Sequence, residues 1–154
     1  MENLPIDPSL LELNQVLKEA DDLYRSATRR LGVPECTLWV LYSLRVWPGP
    51  ITQTQLCQLI HQPKQTINSA LKAMEAKGHI TLSPGSDRRT REITLTPQGV
   101  ELAEQTADWL IRAEGQALAS LEPAQRQAFL QAYRKFNLLL RDAIDSWGMS
   151  KPQR

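Results

Sequence analysis

Apolar residues recur at alternating steps of three and four through Leu10, Leu13, Leu17, Ala20, Tyr24, Ala27 and Leu31. Sustained over about three heptads, this is the seam of an amphipathic helix from Ser9 to Leu31, with Asp7 or Ser9 as its cap and Gly32 just past its end. Pro34 opens a second segment, Glu35 to Val46, in which Leu38, Trp39, Leu41, Tyr42 and Val46 leave almost no polar side. A helix that is apolar nearly all round belongs at the centre of the fold. Trp47-Pro48-Gly49-Pro50 is a breaker, and Ile51 supplies a short strand. Thr52 followed three residues later by Gln55 is a capping-box pattern, starting a short helix through Leu56, Leu59 and Ile60. After Pro63 another helix runs from Lys64 to about Lys77 and ends at Gly78. Two short helices joined by a tight turn are the helix-turn-helix outline.

Beyond Gly78 the period changes from 3.6 to 2. Ile80-Thr81-Leu82-Ser83 and Arg91-Glu92-Ile93-Thr94-Leu95 alternate apolar and polar residues around a long polar tip, which predicts a hairpin. Thr96-Pro97 supplies an N-cap and a first-turn proline for a helix reaching about Leu121. Glu122-Pro123 breaks it. A last helix, Ala124 to Trp147, sets Phe129, Tyr133, Phe136, Leu140, Ile144 and Trp147 on one stripe. The predicted class is mainly α with a small β-hairpin wing: a winged helix-turn-helix domain over 35–98, flanked by an N-terminal dimerisation helix in 1–34 and C-terminal dimerisation helices in 99–154. No internal repeat interrupts this order.

With 154 residues and 42% apolar content, the chain is long enough for one domain with a sizeable core, which excludes a disordered or collagen-like protein. The two cysteines, Cys36 and Cys57, are too few for a disulfide scaffold, and no apolar run approaches the roughly 20 residues of a membrane helix. A soluble, cytoplasmic protein with no membrane partner is expected. The net charge of +1 argues against a uniformly basic binder of anions. Its distribution reverses that inference. Residues 61–92 carry Lys64, Lys72, Lys77, Arg88, Arg89 and Arg91 against Glu75, Asp87 and Glu92, a local +3 that leaves −2 for the remainder. The positive share coincides with the helix pair and the hairpin.

Within Lys64 to Lys77, Ile67, Ala70, Leu71 and Met74 share one face, while Gln65, Asn68, Ser69 and Lys72 fall on the other, with Lys64 and Thr66 at the helix start. Amides, hydroxyls and an ammonium opposite a buried face are what a helix entering a DNA major groove requires, although an ordinary solvated face has the same pattern. The hairpin tip adds a second feature. Arg88 and Arg89, with Arg91 behind them, suit a narrow minor groove or flanking phosphates, and Asp87 is placed to orient them.

The run from Gln65 through Lys77-Gly78-His79-Ile80, followed by Asp87-Arg88-Arg89 and then Leu95-Thr96-Pro97-Gln98-Gly99, resembles the winged helix-turn-helix signature of MarR-type transcriptional regulators. Length and helix order match along the whole chain; Ser69 stands where family members often carry an arginine, and His79 where they often carry an apolar residue. The resemblance implies a homodimer built from the first and last two helices. It also implies a 65–77 helix reading the major groove, an Arg88-Arg89 wing in the minor groove, and a small-molecule pocket between the dimer helices and the DNA-binding lobe. Tyr24, Trp39, Tyr42 and Trp109 are the aromatic candidates to line that pocket and take a small aromatic or amphipathic effector, with core packing as their other reading.

Self-association also follows from the pattern itself. Leu10, Leu13 and Leu17 near one end and Phe136, Leu140, Ile144 and Trp147 near the other exceed what one thin core covers, unless the two stripes pack on each other. No catalytic residues are expected, since there is no Gly-rich phosphate loop and only two histidines, and no cofactor or metal is assigned. Cys57 and His61, four apart, have metal-compatible spacing, and Cys36 sits near a helix start that favours a thiolate, so a thiol or metal switch stays open. The expected function is a sequence-specific repressor, binding double-stranded DNA as a homodimer on a pseudo-palindromic operator and modulated by a small molecule. The competing readings are a protein-interaction module on a winged-helix fold and the thiol or metal switch.

Overall fold

A computed structural model describes the protein over residues 6–60, 62–85 and 90–149. Its elements are α1 (Ser9–Leu31), α2 (Glu35–Val46), β1 (Ile51–Thr52), α3 (Gln53–Leu59), α4 (Lys64–Ala76), β2 (Ile80–Pro84), β3 (Arg91–Leu95), α5 (Pro97–Gln105), α6 (Ala107–Ser120) and α7 (Pro123–Met149). The strands form one antiparallel sheet in the order β1-β3-β2, with Ile51 opposite Ile93 and Leu82 also opposite Ile93. Packing divides the chain into two units, residues 1–112 and 113–154.

The core of the first unit is built round α2. Leu38, Val40 and Leu41 of this helix are fully buried, as the absence of a polar side requires. Leu56 of α3, Ile67, Leu71 and Met74 of α4, the sheet residues Ile51, Ile80 and Ile93, and Ala103, Ala107 and Leu110 complete the cluster. Each large aliphatic side chain buried in this way stabilises the fold by about 1.5–3 kcal/mol relative to exposure. α1 joins the cluster only near its C-terminus, where Ala27 is buried and Tyr24 and Leu31 pack against the core. Further up the helix Leu13 is half-buried, while Leu10 and Leu17 are exposed.

Two expectations change. Neither candidate is the N-cap of α1, which is Pro8; the Asp7 carboxylate, one residue further out, accepts the Ser9 N–H at 2.8 Å, and Ser9 is already the first helical residue. The single helix expected from Pro97 to Leu121 is two helices, α5 and α6, broken at Thr106. Thr106 has φ −130° and ψ −83°, and its buried hydroxyl donates to the Leu102 carbonyl at 2.6 Å. A threonine hydroxyl bonded back to the preceding turn competes with the helical ladder and bends the chain.

The second unit holds the C-terminal part of α6 and the helix α7. Pro123 occupies the first turn of α7, where its missing N–H costs nothing, and the Gln125 side chain accepts the Glu122 N–H at 3.2 Å. None of the described residues of α7 is buried. Phe129, Tyr133, Leu140, Ile144 and Trp147 are all exposed, and Phe136 is half-buried. The Phe129 and Tyr133 rings stack in parallel, 6.1 Å apart. Among the described residues no helix is long and apolar enough to cross a membrane.

Candidate nucleic-acid interface

The orientation of α3 is set by its start. Thr52 Oγ1 accepts the Gln55 N–H, and the Gln55 side chain in return accepts the Thr52 N–H at 2.9 Å, the reciprocal capping box that the sequence predicts. With Leu56 turned into the core, Gln53, Thr54 and Gln58 are left on the outward side. α4 follows Pro63 and buries Ile67, Leu71 and Met74, so its polar face points away from the core. Lys64, Gln65, Thr66, Ser69 and Lys72 are exposed on that face.

Two of these side chains already have partners. Gln53 donates its side-chain amide to Asn68 Oδ1, tying the start of α3 to the middle of α4. Asn68 is therefore half-buried, with its carbonyl committed and its NH2 as the group left for a ligand. Ser69 Oγ donates to the Gln65 carbonyl at 3.0 Å and keeps only acceptor capacity. Gln53 was not among the sequence-predicted contacts. The capping box was the available signal, since fixing the α3 N-terminus at Thr52 fixes which way Gln53 faces.

The wing packs back on the helix pair through a close backbone approach. Gly78 ends α4 with φ +73°, and the Thr96 hydroxyl donates to its carbonyl at 2.5 Å. The Gly99 N–H in turn donates to Thr96 Oγ1 at 3.0 Å. A Cβ on Gly99 would lie 1.8 Å from the His79 carbonyl oxygen, so only glycine fits there. This gives a physical reason for the Gly78-His79-Ile80 and Leu95-Thr96-Pro97-Gln98-Gly99 spacing: the two segments clasp each other. Across the exposed face of the hairpin the Thr81 and Thr94 hydroxyls are 2.8 Å apart, and the Gly85 N–H donates to the Thr90 carbonyl at 3.0 Å. Asp87, Arg88 and Arg89, the expected wing tip, lie outside the described residues, as does His61.

Arg91, at the base of the wing, is exposed and faces Lys64 across an open depression of about 660 Å3, lined also by Gln53, Thr54, Gln58 and Thr90. Two cations among amides and hydroxyls form a surface that can hold phosphate oxygens.

Residues 31–90, which span the end of α1, α2, the helix pair and β2, match the MarR family. Over that segment the chain resembles MarR-family winged-helix proteins. It is similar to the uncharacterized HTH-type transcriptional regulator YwoH of Bacillus subtilis, 24% identical over 127 residues, covering 80% of this chain and 92% of that one. Among solved structures it resembles Sco3205, a MarR-family transcriptional regulator from Streptomyces coelicolor in complex with DNA. The TM-score is 0.67 at 22% identity, over 88% of this chain and 90% of that one. It also resembles Bordetella bronchiseptica BpsR, whose DNA binding is regulated by 6-hydroxynicotinic acid. That TM-score is 0.59 at 21% identity, over 82% of this chain and 98% of BpsR.

Three of the four aromatic candidates come together. The Trp39 ring lies 5.4 Å from Tyr24 and 5.5 Å, edge-on, from Tyr42. Trp39 and Tyr42 line a cavity of about 380 Å3 with Glu35, Ser43, Trp47 and Leu59. Trp109 is on α6, nearly half exposed, and is not part of this lining.

α2 is fastened to α6 by a bidentate ion pair that sequence reading missed: Arg45 Nε to Asp108 Oδ1 at 2.7 Å, and Arg45 Nη2 to Asp108 Oδ2 at 2.5 Å. The hydrogen bonds and charge of Arg45 hold the Asp108 carboxyl below the usual carboxylate range, against the opposing effect of burial. The cysteines are free. Burial, followed by the charge of Glu35, pushes the Cys36 thiol up, which outweighs the helix-start effect expected to favour a thiolate. Cys57 is half-buried, and no cluster of three or more His, Cys, Asp or Glu suited to a metal occurs among the described residues.

Proposed function

We propose that the protein is a DNA-binding transcriptional repressor acting as a homodimer. Lys64, Gln65, Thr66, Asn68, Ser69 and Lys72 of α4 would meet the major groove, and Arg88, Arg89 and Arg91 of the wing, steadied by Asp87, the minor groove and adjacent phosphates. The observation that carries this reading is the split face of α4: three side chains buried on one side, and on the other an exposed polar row beside the Lys64 and Arg91 depression. Leu10, Leu13 and Leu17 of α1 and Phe136, Leu140, Ile144 and Trp147 of α7 would form the dimer interface. A two-fold dimer reads a pseudo-palindrome with half-sites about 34–36 Å apart.

An effector bound beside Trp39 and Tyr42, with Tyr24 packed behind Trp39, would shift the population of the DNA-competent dimer by its differential affinity for the two states. Support comes from BpsR, a structurally similar regulator whose DNA binding responds to a small molecule. The test of the DNA-binding reading is a salt titration of binding for Lys72→Ala and for the double variant Arg88→Ala with Arg89→Ala. Each lost phosphate contact is expected to lower affinity and reduce the logarithmic salt slope by about one. Unchanged binding and slope in both would favour the protein-interaction module instead.

A further inference from the structure

The cavity beside Trp39 has a definite charge preference. Trp39, Tyr42 and Trp47 supply its aromatic wall, Val46 and Leu59 lie at its apolar margin, and Glu35 is its one charged group among the described lining residues. Glu35 is the first residue of α2, is exposed, and has no ion-pair partner among the described residues. Its carboxylate therefore already answers the positive end of α2, which would otherwise favour an anion. No described lysine or arginine lines the cavity.

Aromatic faces carry negative potential and attract a cation set over them, most strongly for tryptophan and where water is excluded. The Glu35 carboxylate at the same cavity adds to that attraction and repels a carboxylate ligand. At about 380 Å3 the volume suits one ring and its substituents. The Trp39 ring is held in place by its contacts with Tyr24 and Tyr42, so this part of the wall is formed before any ligand arrives.

We propose that this cavity binds a single-ring amphipathic ligand bearing a fixed positive charge, of the quaternary-ammonium class, and discriminates against organic acids. The inference deepens the effector reading above and rests on it only for the consequence to DNA binding. It sets this chain apart from BpsR, for which the regulating molecule is an acid.

Calorimetric titration of the full chain with three substituted phenols tests it: 3-hydroxyphenyltrimethylammonium, its uncharged analogue 3-tert-butylphenol, and 3-hydroxybenzoate. The ammonium compound is expected to bind at least fivefold more tightly than the tert-butyl compound, with the benzoate weakest. Glu35→Gln is expected to shrink the gap between the first two while leaving binding of the tert-butyl compound intact, and Trp47→Leu to weaken the ammonium compound most. A thermal melt without ligand reports that each variant is folded.

Benzoate binding as tight as ammonium, or no binding of the ammonium compound, overturns the proposal. So does a Glu35→Gln variant that keeps the full preference. The same probes are then added to the protein–DNA complex. Ammonium binding that leaves DNA affinity unchanged upholds the cavity's preference and removes the effector reading, whereas DNA release by benzoate alone upholds the effector reading and removes the preference.

Discussion

α4 and α7 are both amphipathic, yet they spend their apolar faces differently. α4 has 13 residues and buries Ile67, Leu71 and Met74, so the surface it leaves free is polar. α7 has 27 residues and buries none of those described; its free surface holds Phe129, Tyr133, Leu140, Ile144 and Trp147. A helix whose apolar side is satisfied within its own unit can offer amides, hydroxyls and ammonium groups to a charged partner. A helix whose apolar side is unsatisfied asks for another apolar surface, and contiguous exposed patches of this kind mark interaction sites. Under the proposed function the two helices would separate two tasks, reading by α4 and assembly by α7.

Substitutions sharpen that contrast in descending order of effect. Leu41→Ala, in the fully buried centre of the first unit, is expected to lower unfolding stability by about 2–5 kcal/mol in denaturant titration, at every protein concentration. Gly99→Ala forces the clasp between His79 and the start of α5 apart, costing about 1–3 kcal/mol and weakening DNA binding with it, read by melting and by fluorescence anisotropy. Ile144→Asp on α7 should leave the first unit folded but weaken self-association at least tenfold, or about 1.4 kcal/mol, in sedimentation experiments. A variant that sediments like the parent would break the contrast between the helices.

The smallest effect concerns the tie between α2 and α6. Arg45→Met removes the partner of Asp108 and, because the Arg45 side chain is about one-third exposed (32%), is expected to cost only about 1 kcal/mol. Arg45 holds the Asp108 carboxyl below its usual value, so the pair's contribution is fully present above the unfolded carboxylate value of about 3.9. It is lost as the pH falls through the lower folded value. The stability gap between parent and variant should therefore be flat above about pH 4 and close in stronger acid.

Most of the first unit was legible because its signals are local. Pro34, Pro63, the Thr52 and Gln55 box and the change of period after Gly78 mark boundaries by steric and hydrogen-bonding rules that act within a few residues. The unit's unforeseen contacts join distant positions: Gln53 to Asn68, Arg45 to Asp108, and Gly99 against the His79 carbonyl. The break at Thr106 was local but ambiguous, since the apolar stripe continues through it. Only the hydroxyl bond to Leu102 distinguishes a bend from a continuous helix. Aromatic candidates showed the same limit: Tyr24, Trp39 and Tyr42 fall at helical spacing and meet, whereas Trp109 sits on a separate helix and does not line their cavity.

The proposed function is sequence-specific DNA binding by a dimer through α4 and the wing. The most direct test compares affinity for duplex DNA flanking the protein's own coding sequence with affinity for random duplex of equal length, across a salt series and with the number of chains per duplex counted. Two chains per site, affinity for the flanking DNA at least about 1,000-fold tighter, and a steep fall with salt are expected. Equal affinity for both duplexes, a flat salt response, or one chain per site would contradict the proposed function.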